Sequence, residues 1–240
     1  LRVLRERSIE EVGEEVAGAL RDRDPDVQLE DARYLYCQDA DDHVERLRQG
    51  LQHEDPRIQA AAVGLIAEEG TPAEYTLVDE PLLRRLVELE GPQGTETRTH
   101  VARLLGVLDR PYRNDLLHRL LLDEAPSVVR AALRAAARTG DRSFMHAVVE
   151  RLGDDRYETA AQQALASFGP PILGTLYDYL VDPSVDLSVR QRIPSVFVKH
   201  PGPFALAVLV RGLRKVPVPV RHAITRALSK LHKEAHVDSN

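Results

Sequence analysis

One short pattern recurs along this chain at a spacing near thirty residues, and it limits the fold more than any other feature. Its clearest copy runs from Asp123 to Gly140: an acidic start, Pro126, Val128-Val129, Arg130, then alanines and Leu133. Asp55-Pro56-Arg57-Ile58-Gln59 opens an earlier copy, and Asp24-Pro25-Asp26-Val27-Gln28 a worn one. Asp182-Pro183 with Val189-Arg190, and Pro219-Val220-Arg221, open two later ones. Arg98 and Glu158 take the polar marker position in two copies that lack the Pro. The marker falls at 28, 59, 98, 130, 158, 190 and 221, so successive spacings are 31, 39, 32, 28, 32 and 31. A unit of this length that cannot bury its apolar face alone must stack on its neighbours.

Each copy reads as the second helix of a pair. Pro126 suits a first helical turn, where its missing N–H would be unpaired anyway. Val129, Ala132, Leu133 and Ala136 then fall at spacings of three and four, which is one apolar face. Gly140 stands where a left-handed residue can close the helix. The spacing predicts a helix over 1–22 and one over 25–38. Pairs follow at 41–53 with 56–69, capped by Asp41 or Asp42, and at 111–123 with 126–139. Further pairs are expected at 142–152 (capped by Asp141) with 155–168, 171–181 with 185–199, and 203–215 with 218–233. Pro194 falls inside one of these helices and should bend it. The third pair is irregular: Thr71–Glu80 is a long lead-in to Pro81-Leu82-Leu83, Gly91-Pro92-Gln93-Gly94-Thr95 reads as a break, and a helix follows over 96–108.

The acidic residue and Pro, then Val, Arg and small apolar positions, resemble the second helix of a HEAT repeat. The resemblance spans nearly the whole chain. It implies an all-α, right-handed α-solenoid of about seven antiparallel helix pairs, with thirteen or fourteen helices. Residues 1–240 are then a single domain, 1–22 its first or capping helix and 234–240 a frayed tail. It also implies a curved stack that holds a partner, and no reaction.

Composition agrees with stacked helices: 43% of residues are hydrophobic, 5% aromatic, and none is Trp. The single Cys37 has no internal disulfide partner, which points to a reducing, cytoplasmic setting. No apolar run approaches the ~20 residues that span a bilayer, and no signal-peptide pattern opens the chain. The chain begins at Leu1 without Met, so a piece of a longer protein is expected.

A narrower resemblance lies near the end. Arg190-Gln191-Arg192-Ile193-Pro194-Ser195-Val196 is followed by Leu209-Val210-Arg211-Gly212-Leu213, then by Val220-Arg221-His222-Ala223-Ile224-Thr225-Arg226-Ala227-Leu228-Ser229-Lys230-Leu231. This order resembles the HEAT region of bacterial membrane proteins related to the ATP/ADP translocases, of the major facilitator type. In that family a cyclic-nucleotide-binding domain can follow. Val216-Pro217-Val218-Pro219 stands where the family has Asp-Pro. The resemblance implies a context, the cytosolic side of a membrane transporter-like protein, and no activity in these residues.

Residues that could carry chemistry are sparse. His232 and His236 lie four apart, but His232-Lys233-Glu234-Ala235-His236 lacks the Glu next to the first His that a zincin needs. HEAT-repeat hydroxylases hold iron through several His-Glu dipeptides, and only His53-Glu54 occurs here. Cys37 has no identifiable His-Asp framework. There is no phosphate loop or dinucleotide turn. The expectation is no catalytic residue, no metal and no cofactor. A nucleic-acid-binding or DNA-repair module and a repeat-built lyase stand as the alternatives to a binding scaffold.

Charge is the strongest surface feature. Residues 1–95 hold 11 Lys+Arg against 23 Asp+Glu, a net of -12, whereas residues 96–240 hold 21 against 15, a net of +6. Between Leu187 and Lys233 there are ten basic residues and no acidic one. Arg192, Lys199, Arg226 and Lys230 project from second helices, which line the inner curve of a HEAT stack, and Arg103, Arg134 and Arg138 extend the stripe. Such a surface suits a protein or acidic segment, an anionic ligand or a lipid headgroup, with nucleic acid less suited. The acidic and basic ends also suit head-to-tail self-association. The opposing reading is a solvated face whose Arg stems cover apolar surface. Arg130, Arg190 and Arg221, at the marker, are expected to bond acidic groups or helix ends of neighbouring repeats.

Overall fold

A computed structural model describes residues 43–237, with side chains from Val44 to Lys233. The expected helices over 1–22 and 25–38, the Asp41 or Asp42 cap, Cys37, the His236 side chain and residues 238–240 lie outside the described residues. The chain divides into two compact units at Tyr112 and Arg113.

In the first unit the helices are α1 (His43–Leu51), α2 (Pro56–Glu69), α3 (Glu80–Val87) and α4 (Gly91–Leu105). The second holds α5 (Arg113–Leu121), α6 (Pro126–Thr139), α7 (Met145–Leu152) and α8 (Glu158–Ser167). It continues with α9 (Leu173–Val181), α10 (Leu187–Val198), α11 (Pro203–Gly212) and α12 (Val218–Val237). Among the described residues these twelve helices make six pairs and there is no strand, so the all-α repeat expected from the thirty-residue period is the architecture found. Turns within each pair are three to five residues long, which forces an antiparallel return.

The clearest repeat folds as its spacing requires. Val129, Ala132, Leu133 and Ala136 on α6 are fully buried or nearly so. Pro126 opens the helix, and Gly140 closes it at φ 64°, with its N–H on the Ala136 carbonyl. Asp141 caps the next turn as expected, accepting from the Ser143 N–H at 2.8 Å. A short 3-10 segment, Arg142–Phe144, delays the start of α7 to Met145, and Pro170–Ile172 delays α9 in the same way. Pro194 lies inside α10, which continues through it.

Residues 91–95, expected to break the chain, instead form the first turn of α4. Pro92 is preset for that turn. Gly94 is needed for space: a Cβ there would lie 2.2 Å from the Leu89 carbonyl oxygen. The Gly-Pro-Gln-Gly run is therefore a tight helix entry.

Four of the marker residues, Gln59, Arg98, Arg190 and Arg221, act as clamps within their own pair. Gln59 Nε2 donates to the His53 carbonyl at 2.7 Å. Arg190 Nε donates to Leu180 at 3.0 Å, and Arg221 Nε to Val216 at 2.9 Å. Arg98 donates to the Leu89 carbonyl. In each case a second-helix side chain satisfies a backbone carbonyl, that of Leu180 in the last turn of the first helix and those of His53, Leu89 and Val216 in the connecting turn. Arg130, Arg190 and Arg221 were expected to bond acidic groups or helix ends of neighbouring repeats; Arg190 and Arg221 instead meet carbonyls of their own pair, and Arg130 makes no such bond among the described residues. The side chain at this position is long enough to cross the turn and return to the helix it follows.

In the second unit, second helices pack in series: α6 on α8, α8 on α10, α10 on α12. First helices form another row, with α5 on α7 and α9 on α11. The row of second helices positions the site described next.

Candidate functional site

A groove of ≈ 870 Å³ lies along α8, α10 and α12. Its lining from α12 is Ala223, Arg226, Ala227, Lys230 and Lys233. Ala223 and Ala227 are buried and form floor; Arg226, Lys230 and Lys233 are exposed. Those three cations are four and three residues apart, so they share one helix face. Like charges so placed cost ~0.2–0.5 kcal/mol per pair, a strain that an anion in the groove would relieve. Lys199 joins them from the C-terminal end of α10, beside Val198. Gln162 on α8 and Gln191 and Ser195 on α10 supply uncharged polar groups.

Four expected residues thus meet in one place: Arg192, Lys199, Arg226 and Lys230. Arg192 differs in kind from the others. Its side chain is only 19% exposed, and its guanidinium donates to the Leu152 carbonyl at 3.0 Å. It also pairs with Asp155 and, at 3.1 Å, with Glu158. Arg192 ties α10 to the end of α7 and the start of α8, and it holds Glu158, the one acidic groove residue among the described residues. The sequence reading gave it a partner-binding role equal to the rest; the geometry makes it a strut. The groove's cationic face is Lys199, Arg226, Lys230 and Lys233.

The remaining expected residues do not reach this groove. Arg134 and Arg138 are exposed on α6, outside its lining. Arg103 belongs to the first unit, where it pairs with Glu68 of α2 at 2.7 Å. Lys233 was missed, although its spacing from Arg226 and Lys230 marks the same face. Gln162 and Gln191 carry no sequence signal of their own, because an amide becomes a groove residue only through packing.

The first unit has a smaller recess between α2 and α4, beside His100. The His100 ring lies against Gly64, where a Cβ would sit 3.1 Å from Nδ1. Nδ1 is buried without a hydrogen-bond partner among the described residues, while Nε2 faces Glu96 at 3.7 Å. Burial, with the nearby Arg103 cation, holds its pKa below the usual histidine value. In the second unit His146 lies between Glu150 and Tyr179, its Nδ1 2.7 Å from the Tyr179 hydroxyl and its Nε2 3.3 Å from the Glu150 carboxylate. Glu150 and His146 are well exposed there. Among the described residues no cluster of three or more His, Cys, Asp or Glu could hold a metal ion. Nor is any helix there long and apolar enough to cross a membrane.

Residues 80–169 match the family of HEAT repeats. None of the curated proteins compared with the chain matches it. Among solved structures, that of YibA from Escherichia coli is similar at 18% identity and a TM-score of 0.56, covering 96% of this chain and 85% of that one. An engineered protein is 20% identical with a TM-score of 0.48, covering 92% of this chain and 68% of that one. Human deoxyhypusine hydroxylase, solved in complex with glycerol, is 18% identical with a TM-score of 0.38, covering 91% of this chain and 83% of that one. The likeness to YibA shows the fold alone, an all-helical repeat, and the family match shows HEAT repeats over residues 80–169.

Proposed function

We propose that this chain is a non-catalytic binding scaffold that holds an acidic protein segment in the groove of its last repeats. The observation that carries the reading is the set of Lys199, Arg226, Lys230 and Lys233 around one groove, none with an ion-pair partner among the described residues. Helices that pack rigidly on one another present these charges preorganised, which lowers the entropy cost of binding. A groove admits a peptide more readily than a planar lipid surface. Among the described residues its lining holds no aromatic ring on which a base could stack.

The wider setting we propose is a cytosolic regulatory region of a transporter-like membrane protein. It rests on the resemblance of the segments from Arg190 and Val220, and a full-length gene product without any multi-span segment would remove it. The groove itself is tested with a fluorescein-labelled glutamate-rich peptide in anisotropy titrations. Wild-type chain should bind it at low salt, and binding should weaken as salt rises, since exposed charges are screened over ~10 Å at 0.1 M. Arg226→Glu with Lys230→Glu should abolish binding with an unchanged helical circular dichroism signal. Unchanged affinity in that variant would overturn the reading.

A further inference from the structure

The basic groove has an apolar annex. A second, shallower trough of ≈ 850 Å³ is lined by Val218, Pro219, His222, Thr225 and Ser229, and it shares Gln191, Arg226 and Lys230 with the groove. Three shared residues make the two depressions one continuous surface running over α12 onto its first turn. Val218 is 57% exposed there. An apolar side chain so exposed, beside a set of cations, lacks a reason in the core: the buried face of α12 is Val220, Ala223, Ile224, Ala227 and Leu231.

We infer that the partner of this surface is an acidic segment ending in an apolar anchor, its carboxylates on Lys199, Arg226, Lys230 and Lys233 and its anchor against Val218 and Pro219. The inference rests on the groove reading above and names its partner more closely. The charges supply attraction and orientation, which act mainly on the rate of encounter. The anchor supplies buried apolar area, which acts on residence. A polyanion with no apolar group would use half of the surface. Arg192 takes no part, because its donors already serve Leu152, Asp155 and Glu158.

Two labelled glutamate-rich peptides separate the halves, one ending in a pair of leucines and the other in a pair of serines. The full chain should bind the leucine peptide roughly fivefold more tightly, the effect of burying part of an aliphatic side chain. That preference should survive added salt better than the binding of either peptide, since apolar contact is not screened. Val218→Ser, a change at an exposed position that should fold normally, should erase the preference. Lys199→Glu with Lys230→Glu should weaken both peptides and reduce the salt dependence. Equal affinity for the two peptides, or a preference that Val218→Ser leaves intact, overturns the annex while the groove reading stands. If the Lys199→Glu and Lys230→Glu variant binds both peptides normally, the groove reading falls with it. Tighter binding of phosphatidylglycerol vesicles or a single-stranded oligonucleotide than of the leucine peptide also overturns the assignment.

Discussion

The guanidinium of Arg190 on α10 is 3.0 Å from the carbonyl oxygen of Leu180 in the last turn of α9, and Arg190 is buried to 6% exposure. A buried carbonyl without a partner costs more than a hydrogen bond contributes, because its desolvation is uncompensated. Arg190→Leu should therefore destabilise the chain by about 1–3 kcal/mol in urea denaturation. Arg221→Leu, at an exposed position of the last pair, should cost less. Equal effects at the two sites would show that the clamp's burial does not matter.

Arg192 and Arg226 should separate stability from binding. Arg192→Met removes the links to Leu152, Asp155 and Glu158, and a loss of about 1–2 kcal/mol is expected, reduced because Asp155 is largely exposed. Arg226→Met, with no such links, should leave the melting temperature within a degree or so and lower acidic-peptide affinity. The reverse pattern would exchange the two roles assigned here.

Leu133 is fully buried in the clearest repeat. Leu133→Ala should cost about 2–5 kcal/mol, read as a lower denaturation midpoint. A midpoint that does not move would mean that the repeat tolerates a cavity where its helices meet.

Two glycines should respond in opposite directions. Gly94→Ala brings a Cβ to 2.2 Å from backbone oxygen at Leu89, so the entry to α4 must shift, and a loss of roughly 1–3 kcal/mol is expected. Gly174, in the first turn of α9, has open space where a Cβ would go. Gly174→Ala should stabilise by about 0.4–1 kcal/mol, chiefly by restricting the unfolded chain. Thermal melts of the two variants decide both signs.

His100 makes stability depend on pH. Its folded pKa lies below the model-peptide value of 6.5, first because burial disfavours the imidazolium and then because Arg103 repels it, against smaller opposing pulls from Glu68 and Glu96. The unfolded chain therefore takes up this proton more readily. The contribution is fully present above pH 6.5 and is lost as pH falls through the folded pKa. Denaturation midpoints should fall over that window in the wild type and fall less in His100→Gln. Identical slopes would show that the ring's burial does not control the dependence.

The order of helices was legible where a proline or glycine marks a helix end. Pro56, Pro126 and Pro203 open helices as read, and Gly140 ends one. The entry to α4 was misread because Gly91, Pro92 and Gly94 carry loop propensities. Here Pro92 opens a first helical turn, and Gly94 lets the backbone pass close to the Leu89 carbonyl.

The sequence by itself determined the repeat: its period, the second-helix faces, the clamp position and the excess of cations in the last pairs. These follow from local rules, in which side chains three and four apart share a face and a proline starts a turn. Only the tertiary structure decided what each cation does. Arg192 and Arg226 are both arginines on second helices, yet Arg192 meets Leu152, Asp155 and Glu158, more than thirty residues away along the chain. Arg226 meets open groove. Whether a charge is matched depends on which helix end packs opposite it, and that distance exists only once the pairs have stacked.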